Sequence, residues 1–279
     1  SVVGPDAVRD PAGVGPVFVE FCRGHAEQIT RLLRSRLVQT NVVKRAAAVR
    51  LGLTRIACQI AGPVALVEVG CSAGALLGQD GYRYRAGRQE WGPHDSPVMI
   101  DFEWRSDGPL PDLDEMPAIG ARVGIDLYAI DPADSEDQEW MRALVWPENQ
   151  DEADLLETAL QVVAADPPRR LNGDAQQCIG PAISQLPSGM PVVVFHAATR
   201  AHVPPTDRPA FDAAIDRIGD NRDLFHLSLE GCAEEWFQQH RGSFLLRLEA
   251  TGPGRRPNRK DLAIVEQHGE WIQPLDVNS

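Results

Sequence analysis

Val64-Ala65-Leu66-Val67-Glu68-Val69-Gly70-Cys71-Ser72-Ala73-Gly74-Ala75-Leu76-Leu77 is the stretch on which the fold reading turns. An apolar run ends in an acid, passes through small residues and reopens as an apolar segment. The pattern predicts a strand, a tight glycine turn and a helix. Such a turn lets backbone N–H groups and a helix N-terminus approach a ligand, because few β-carbons stand in the way.

Upstream, apolar or long residues recur at helical spacing from Phe18 to about Val38 (Phe18, Phe21, Cys22, Ile29, Leu32, Leu33, Leu37). A second helix is predicted from Asn41 through about Ile60, closed by Gly62-Pro63. Residues 1–16 are rich in Gly and Pro and read as loose. Residues 1–63 are therefore expected to form a helical N-terminal segment or lid, and 64–279 the sheet domain.

Downstream, Ala75–Gln79 is expected to open a helix. Residues 81–120, rich in Gly, Pro, Asp and Trp, read as an insertion covering one edge of the site, with a short strand over Val98–Trp104. A strand over Ala121–Leu127 carries Asp126 at its end. Helical segments follow around Ser135–Val145 and Gln150–Ala165, then a short strand over Leu171–Ala175 ending in Asp174. Pro191–His196 is a continuous apolar run, as in a strand buried on both faces. A helix over Asp207–Ile218, a strand over Leu224–Leu229 and a helix within Cys232–His240 complete the alternation. Two apolar runs, Ser243–Ala250 and Asp261–Val265, flank a Gly/Pro/Arg loop and read as an antiparallel hairpin. Strands alternating with helices imply an α/β, Rossmann-like doubly wound sheet, mostly parallel.

Composition narrows the function. The 279 residues carry a net charge of −13, which repels phosphate backbones and argues against nucleic acid as a partner. Five scattered cysteines form no C-x-x-C pair, so neither a disulfide framework nor a metal site is expected. The most apolar region, 46–77, is interrupted by Arg50, Arg55, Gln59 and Glu68, so no membrane partner is expected. The start, Ser1-Val2-Val3-Gly4-Pro5-Asp6, has neither a basic n-region nor an apolar h-region, and a cytoplasmic location is expected.

Gly70-Cys71-Ser72-Ala73-Gly74 fits two chemistries. As G-x-S-x-G it is the elbow of a serine hydrolase with Ser72 as nucleophile. As the end of an E-x-G-x-x-x-G loop it fits the S-adenosylmethionine (SAM) site of class I methyltransferases, with Ser72 in the middle glycine's place. Three features favour the second reading. Only helical sequence precedes the turn, whereas a hydrolase elbow stands mid-sheet. No upstream glycine pair offers an oxyanion hole. Glu68 also has a defined task only in a SAM-type loop. A dinucleotide fingerprint, G-x-G-x-x-G, does not match the spacing. The candidate cofactor residues are thus Glu68, Gly70, Ser72, Gly74, Asp126 (ribose hydroxyls) and Asp174 (adenine amino group). His196, ending its strand, is the candidate general base. Tyr82, Arg83, Tyr84 and Trp146 are the candidate substrate contacts.

The combination Leu66–Gly74, Tyr82-Arg83-Tyr84, Arg122–Asp126, Trp140 with Arg142-Ala143-Leu144-Val145-Trp146-Pro147-Glu148, and Gly173-Asp174-Ala175 resembles the bacterial domain of unknown function 2332. Thr40-Asn41 and Val193-Val194-Phe195-His196 also resemble it, and the likeness spans about residues 17–275. It implies a class I methyltransferase-like fold without a defined reaction. Cys71 stands where that family more often has Ala, and the N-terminal helical region is shorter and divergent. The expectation is a SAM-dependent, methyltransferase-like protein acting on a small or peptidic acceptor. The alternatives are a binding or scaffold module with a degenerate cofactor site and a Ser72 hydrolase. Oligomeric state is not legible.

Overall fold

The structure is a computed structural model that describes residues 11–38 and 40–275. In chain order its elements are α1 (Pro11–Gly24), α2 (Ala26–Ser35), α3 (Ala46–Ala57), β1 (Val64–Val69), β2 (Arg83–Ala86), β3 (Gln89–Trp91), β4 (Met99–Asp101) and β5 (Glu103–Trp104). There follow β6 (Ile119–Asp126), α4 (Ser135–Ala143), α5 (Gln150–Ala165), β7 (Arg169–Asn172), α6 (Ala175–Ser184), β8 (Val192–Ala197), α7 (Arg208–Asp216) and β9 (Leu224–Glu230). The last three are β10 (Ser243–Gly252), β11 (Arg255–Glu266) and β12 (Trp271–Pro274).

Nine strands make one sheet in the order β5-β12-β11-β10-β9-β8-β1-β6-β7. From β7 to β9 all neighbours are parallel. From β9 to β12 they are antiparallel, and β5 pairs parallel with β12. The fold is mixed α/β with a large, mostly parallel sheet, as the alternation predicts. The chain leaves β1 in one direction to reach β6 and β7, and in the other to reach β8 and β9. Where strand order reverses in this way, a crevice opens outside the carboxyl ends of the strands.

Side chains alternate across each strand and split the core in two. Val64 and Leu66 of β1, with Val193 and Phe195 of β8, face α3, α5 and residues 81–120. Ala65, Val67 and Val69, with Val192 and Val194, face α6 and α7. Glu68 lies level with Gly124 and Phe195, so it belongs to the first face.

Several expected elements differ. The single helix read from Phe18 to Val38 is two, α1 and α2, meeting near Gly24; of residues 1–16, read as loose, 11–16 form the start of α1 and 1–10 lie outside the described residues. The helix expected from Asn41 begins only at Ala46, after a 3₁₀ turn over Val43–Arg45. The helix expected after the glycine turn is a 3₁₀ segment, Ala75–Gly81. Its carbonyls serve other partners: Tyr82 Oη donates to Ala75 O at 2.6 Å and Tyr84 Oη to Gln79 O at 2.5 Å. A continuous α-helix would need such carbonyls for its own ladder. Cys232–His240 holds only a 3₁₀ turn, Glu235–Phe237. The terminal loop is shorter than expected, because residues 255–260 continue β11 and pair with β10.

Residues 81–120 are more ordered than an irregular insertion. They carry a three-stranded sheet, β3-β2-β4, and contribute β5 to the edge of the large sheet. Arg50 of α3 anchors the segment. Its guanidinium stacks on Tyr84 at 5.0 Å, donates to Leu113 O at 2.7 Å and pairs with Asp114 at 2.8 Å.

Candidate functional site

A cavity of about 420 Å³ opens at the carboxyl ends of β1, β6, β7 and β8. Val38, Thr40, Asn41, Val42 and Arg45, from the segment leading into α3, close it from above. Five of the residues singled out in the sequence meet there: Glu68, Gly70, Ser72, Asp126 and Asp174. Six do not. Gly74, at φ 81°, packs toward Pro168 and Leu77. Tyr82 and Tyr84 are fully buried core residues, and Arg83 pairs with Glu90 at 2.8 Å. Trp146 is 73% exposed and lines no part of the cavity. No residue of 81–120 lines it either, so that segment does not cover its edge.

His196 is the sixth. The period of two turns it to the α6/α7 face, opposite Glu68. There it is 1% exposed and packs edge-on against Phe211 at 5.5 Å. Its Nδ1 lies 2.7 Å from Glu230 Oε1 and its Nε2 lies 3.0 Å from His226 Nε2. Glu230 Oε1 also accepts from Thr199 N at 2.7 Å and Arg200 N at 2.9 Å. Burial pushes the Glu230 carboxyl up, but His196 and the two N–H donors outweigh it and hold the carboxyl below its ordinary value. As Glu230 accepts, His196 Nδ1 donates to it, and the two imidazoles share one hydrogen bond between their Nε2 atoms. Burial, with His196 alongside, lowers the His226 pKa to about 3. The cluster fixes the loop after β8, part of which lines the cavity.

The β1 turn is stitched to its neighbour by Asp126. Its Oδ2 accepts from Ser72 N at 2.8 Å and its Oδ1 from Tyr128 N at 3.0 Å. Ser72, at φ 49°, accepts from Ile130 N through its carbonyl at 3.0 Å. Ser72 Oγ accepts from Asn41 Nδ2 at 2.7 Å and lies 3.7 Å from the Met141 sulfur. Among the described residues no histidine or carboxylate hydrogen-bonds that hydroxyl. Gly70, at φ 80°, gives room to a protein side chain: a β-carbon there would overlap Thr199. Likewise Gly124 gives room to Cys71, whose sulfur fills the space of the missing side chain. Asp174 caps α6, accepting from Gln176 N at 2.7 Å.

Glu68 differs from these. It is 3% exposed, lines the cavity, and its Oε2 is buried with no hydrogen-bond partner. Burial, reinforced by the nearby Asp126 carboxylate, raises its pKa well above the ordinary carboxylate value. A buried carboxyl without a partner is costly unless something else supplies one. Sequence reasoning missed Arg45, Thr199, His202 and Asp207, which also line the cavity, and Glu230 behind it. Arg45 stacks on Phe244 at 5.2 Å and donates to Gln267 O at 2.8 Å. Burial pulls its pKa down to about 10, so it stays cationic at neutral pH. No local pattern marks these residues; only their loops' position above the sheet does.

Residues 3–273 match the sequence profile of a family described as "Uncharacterized protein conserved in bacteria (DUF2332)". No curated protein and no solved structure matches the chain.

Proposed function

We propose that this chain, which belongs to the bacterial DUF2332 family, binds SAM in the cavity at the carboxyl edge of its sheet and transfers the methyl group to a small or peptidic acceptor. The observation that carries the proposal is the buried, unpartnered Glu68 oxygen at the point where strand order reverses. That oxygen fits the ammonium of an amino-acid moiety, which would supply the missing donors. The cavity volume lies within the usual range for small-ligand pockets.

In this reading Glu68 accepts hydrogen bonds from the ligand's amine. Asp126 holds the Ser72 turn and the 127–130 loop at a fixed separation, so the walls are formed before binding. Arg45 offers a cationic contact opposite the carboxylates. When bound, SAM supplies an electrophilic methyl on a sulfonium whose leaving group departs neutral. Alignment of the acceptor then carries most of the rate, and the chemistry demands no specific base. Calorimetry with SAM and S-adenosylhomocysteine tests the proposal. Binding of either, lost in Glu68→Ala, is the expected result; no heat from either at millimolar concentration removes the cofactor.

A second reading is favoured by one observation. Asp126 and Asp174 already serve protein N–H groups, so the carboxylates expected to hold ribose and adenine have internal duties. A binding module without turnover would keep the cavity and lack methyl transfer. Cofactor binding without methylation of any acceptor in a peptide and metabolite panel would favour it.

A further inference from the structure

The arm formed by α1 and α2 takes no part in the core. None of α2 is buried, and from Gly13 to Ser35 only Cys22 and Ile29 are even half-buried. Its apolar side chains are nonetheless ordered by helical period. On α1, Val14, Val17, Phe18 and Phe21 fall on one face at i, i+3, i+4 and i+7; on α2, Leu32 and Leu33 lie opposite Arg31 and Arg34. All six apolar side chains are exposed, Phe18 to 63% and Leu33 to 69%. α1 also holds Gly13, Gly15 and an interior Pro16, the poorest helix formers. A helix of 14 residues with that content is not held in water by propensity. Its order calls for a surface that buries the stripe, and the rest of the described chain leaves the stripe uncovered.

Charge selects that surface. Residues 11–38 carry four arginines against Glu20 and Glu27, in a chain of net charge −13. Among the described residues only one of the four, Arg36, is paired, with Asp137 of α4. Trp140 of α4 donates its indole N–H to Leu37 O at 3.1 Å, so the arm is rooted beside α4. Arg31 and Arg34 are exposed and three residues apart. α4 turns Asp137, Trp140 and Met141 inward, whereas Glu136 and Glu139, also three apart, are exposed on its outer face and pair with no described residue. Trp146, just beyond α4, is bare as well. One side of the molecule thus holds both halves of a match: apolar stripes, and a basic pair and an acidic pair at the same spacing. A self-complementary surface closes with two-fold symmetry. A lipid surface rich in anionic headgroups would meet the same arginines but repel the acidic body. We propose that the α1–α2 arm is a dimer contact, seated on a second copy of this chain, with Arg31 and Arg34 against Glu136 and Glu139 of that copy. Covering the six apolar side chains on both copies removes on the order of 600 Å² from water. That is roughly the apolar share of the ~1,200 Å² at which specific interfaces begin. The contact stands beside the cavity, because α2 runs on into the residues that close it from above, and it is independent of which ligand the cavity takes.

Sedimentation velocity of the full chain across the micromolar range is the test. A dimer is expected. Phe18→Ser/Phe21→Ser is expected to weaken it at least tenfold while leaving the melting temperature of the dilute, monomeric chain unchanged. Arg31→Glu/Arg34→Glu is expected to weaken it too, and adding Glu136→Arg/Glu139→Arg on the same chain is expected to restore it. A wild type that stays monomeric at its highest soluble concentration overturns the proposal. So does a dimer untouched by Phe18→Ser/Phe21→Ser, and so does a four-residue reversal that fails to recover affinity. Flotation with vesicles of phosphatidylcholine and phosphatidylserine addresses the other occupant. No binding is expected; binding that is lost in Phe18→Ser/Phe21→Ser would assign the arm to a lipid surface and overturn the dimer.

Discussion

Two glutamates turn inward at the carboxyl edge of one sheet, Glu68 on β1, buried, and Glu230 at the end of β9, its side chain 12% exposed, with β8 between them. Glu230 receives three donors, from His196, Thr199 and Arg200, and its pKa falls despite its burial. Glu68 has an oxygen without any partner, and its pKa rises. Burial is common to both, so burial does not mark function. What separates them is whether the protein completes the hydrogen bonding. The completed one holds a loop in place; the incomplete one faces a cavity.

The largest effect that can break this contrast is loss of the completed partner set. Glu230→Ala should destabilise the protein by about 3–5 kcal/mol, since it strands buried donors, and denaturant unfolding would read it. A loss no larger than that of a surface substitution would mean the three donors do not hold the loop.

Glu68 should behave in the opposite way. Glu68→Gln is expected to leave the melting temperature equal or higher and to lower affinity for S-adenosylhomocysteine at least tenfold. The pH dependence sharpens the point. Because the folded pKa of Glu68 is raised, its favourable contribution is present below the ordinary carboxylate value and is lost as pH rises through the folded pKa. Melts from pH 4 to 9 should therefore decline less steeply with pH in Glu68→Gln than in the wild type.

Gly70 connects the two regions, because its missing β-carbon admits Thr199. Gly70→Ala should cost about 1–2 kcal/mol from the left-handed backbone alone, with the Thr199 overlap in addition. Adding Thr199→Gly should recover the overlap part, seen as a coupling energy in a double-mutant cycle. Additive losses would sever that link.

At neutral pH the smallest effect is expected at His226. Its lowered pKa means its contribution is present above pH 6.5 and fades as pH falls toward 3. His226→Gln should flatten the acid side of the stability profile within that window, with little change at pH 8.

Much of the frame was legible before any coordinates. The apolar run at 192–196 and the acid-ended strands at 64–69 and 119–126 carry their own signal. A strand buried on both faces must be apolar, and a polar residue at its end must find a partner at the tip. The likeness in Leu66–Gly74 and Arg142–Glu148 was equally readable, and the family profile spans 3–273. The roles of single residues were not. His196 reads as a base at a strand end, but a period of two aims it away from the cavity. Tyr82 and Tyr84 read as substrate contacts, but their hydroxyls serve the 3₁₀ segment and their rings fill the core. Trp146 sits in a family-specific string and still points to solvent.

From its sequence alone, this protein was determined to be an α/β chain with a glycine corner and carboxylates at its strand tips, because hydrophobic period and turn chemistry are local properties. Only the tertiary structure decided which carboxylate is left without partners. That depends on donors 30 to 54 positions away, which strand order and side-chain alternation bring to Asp126 and Glu230 and not to Glu68.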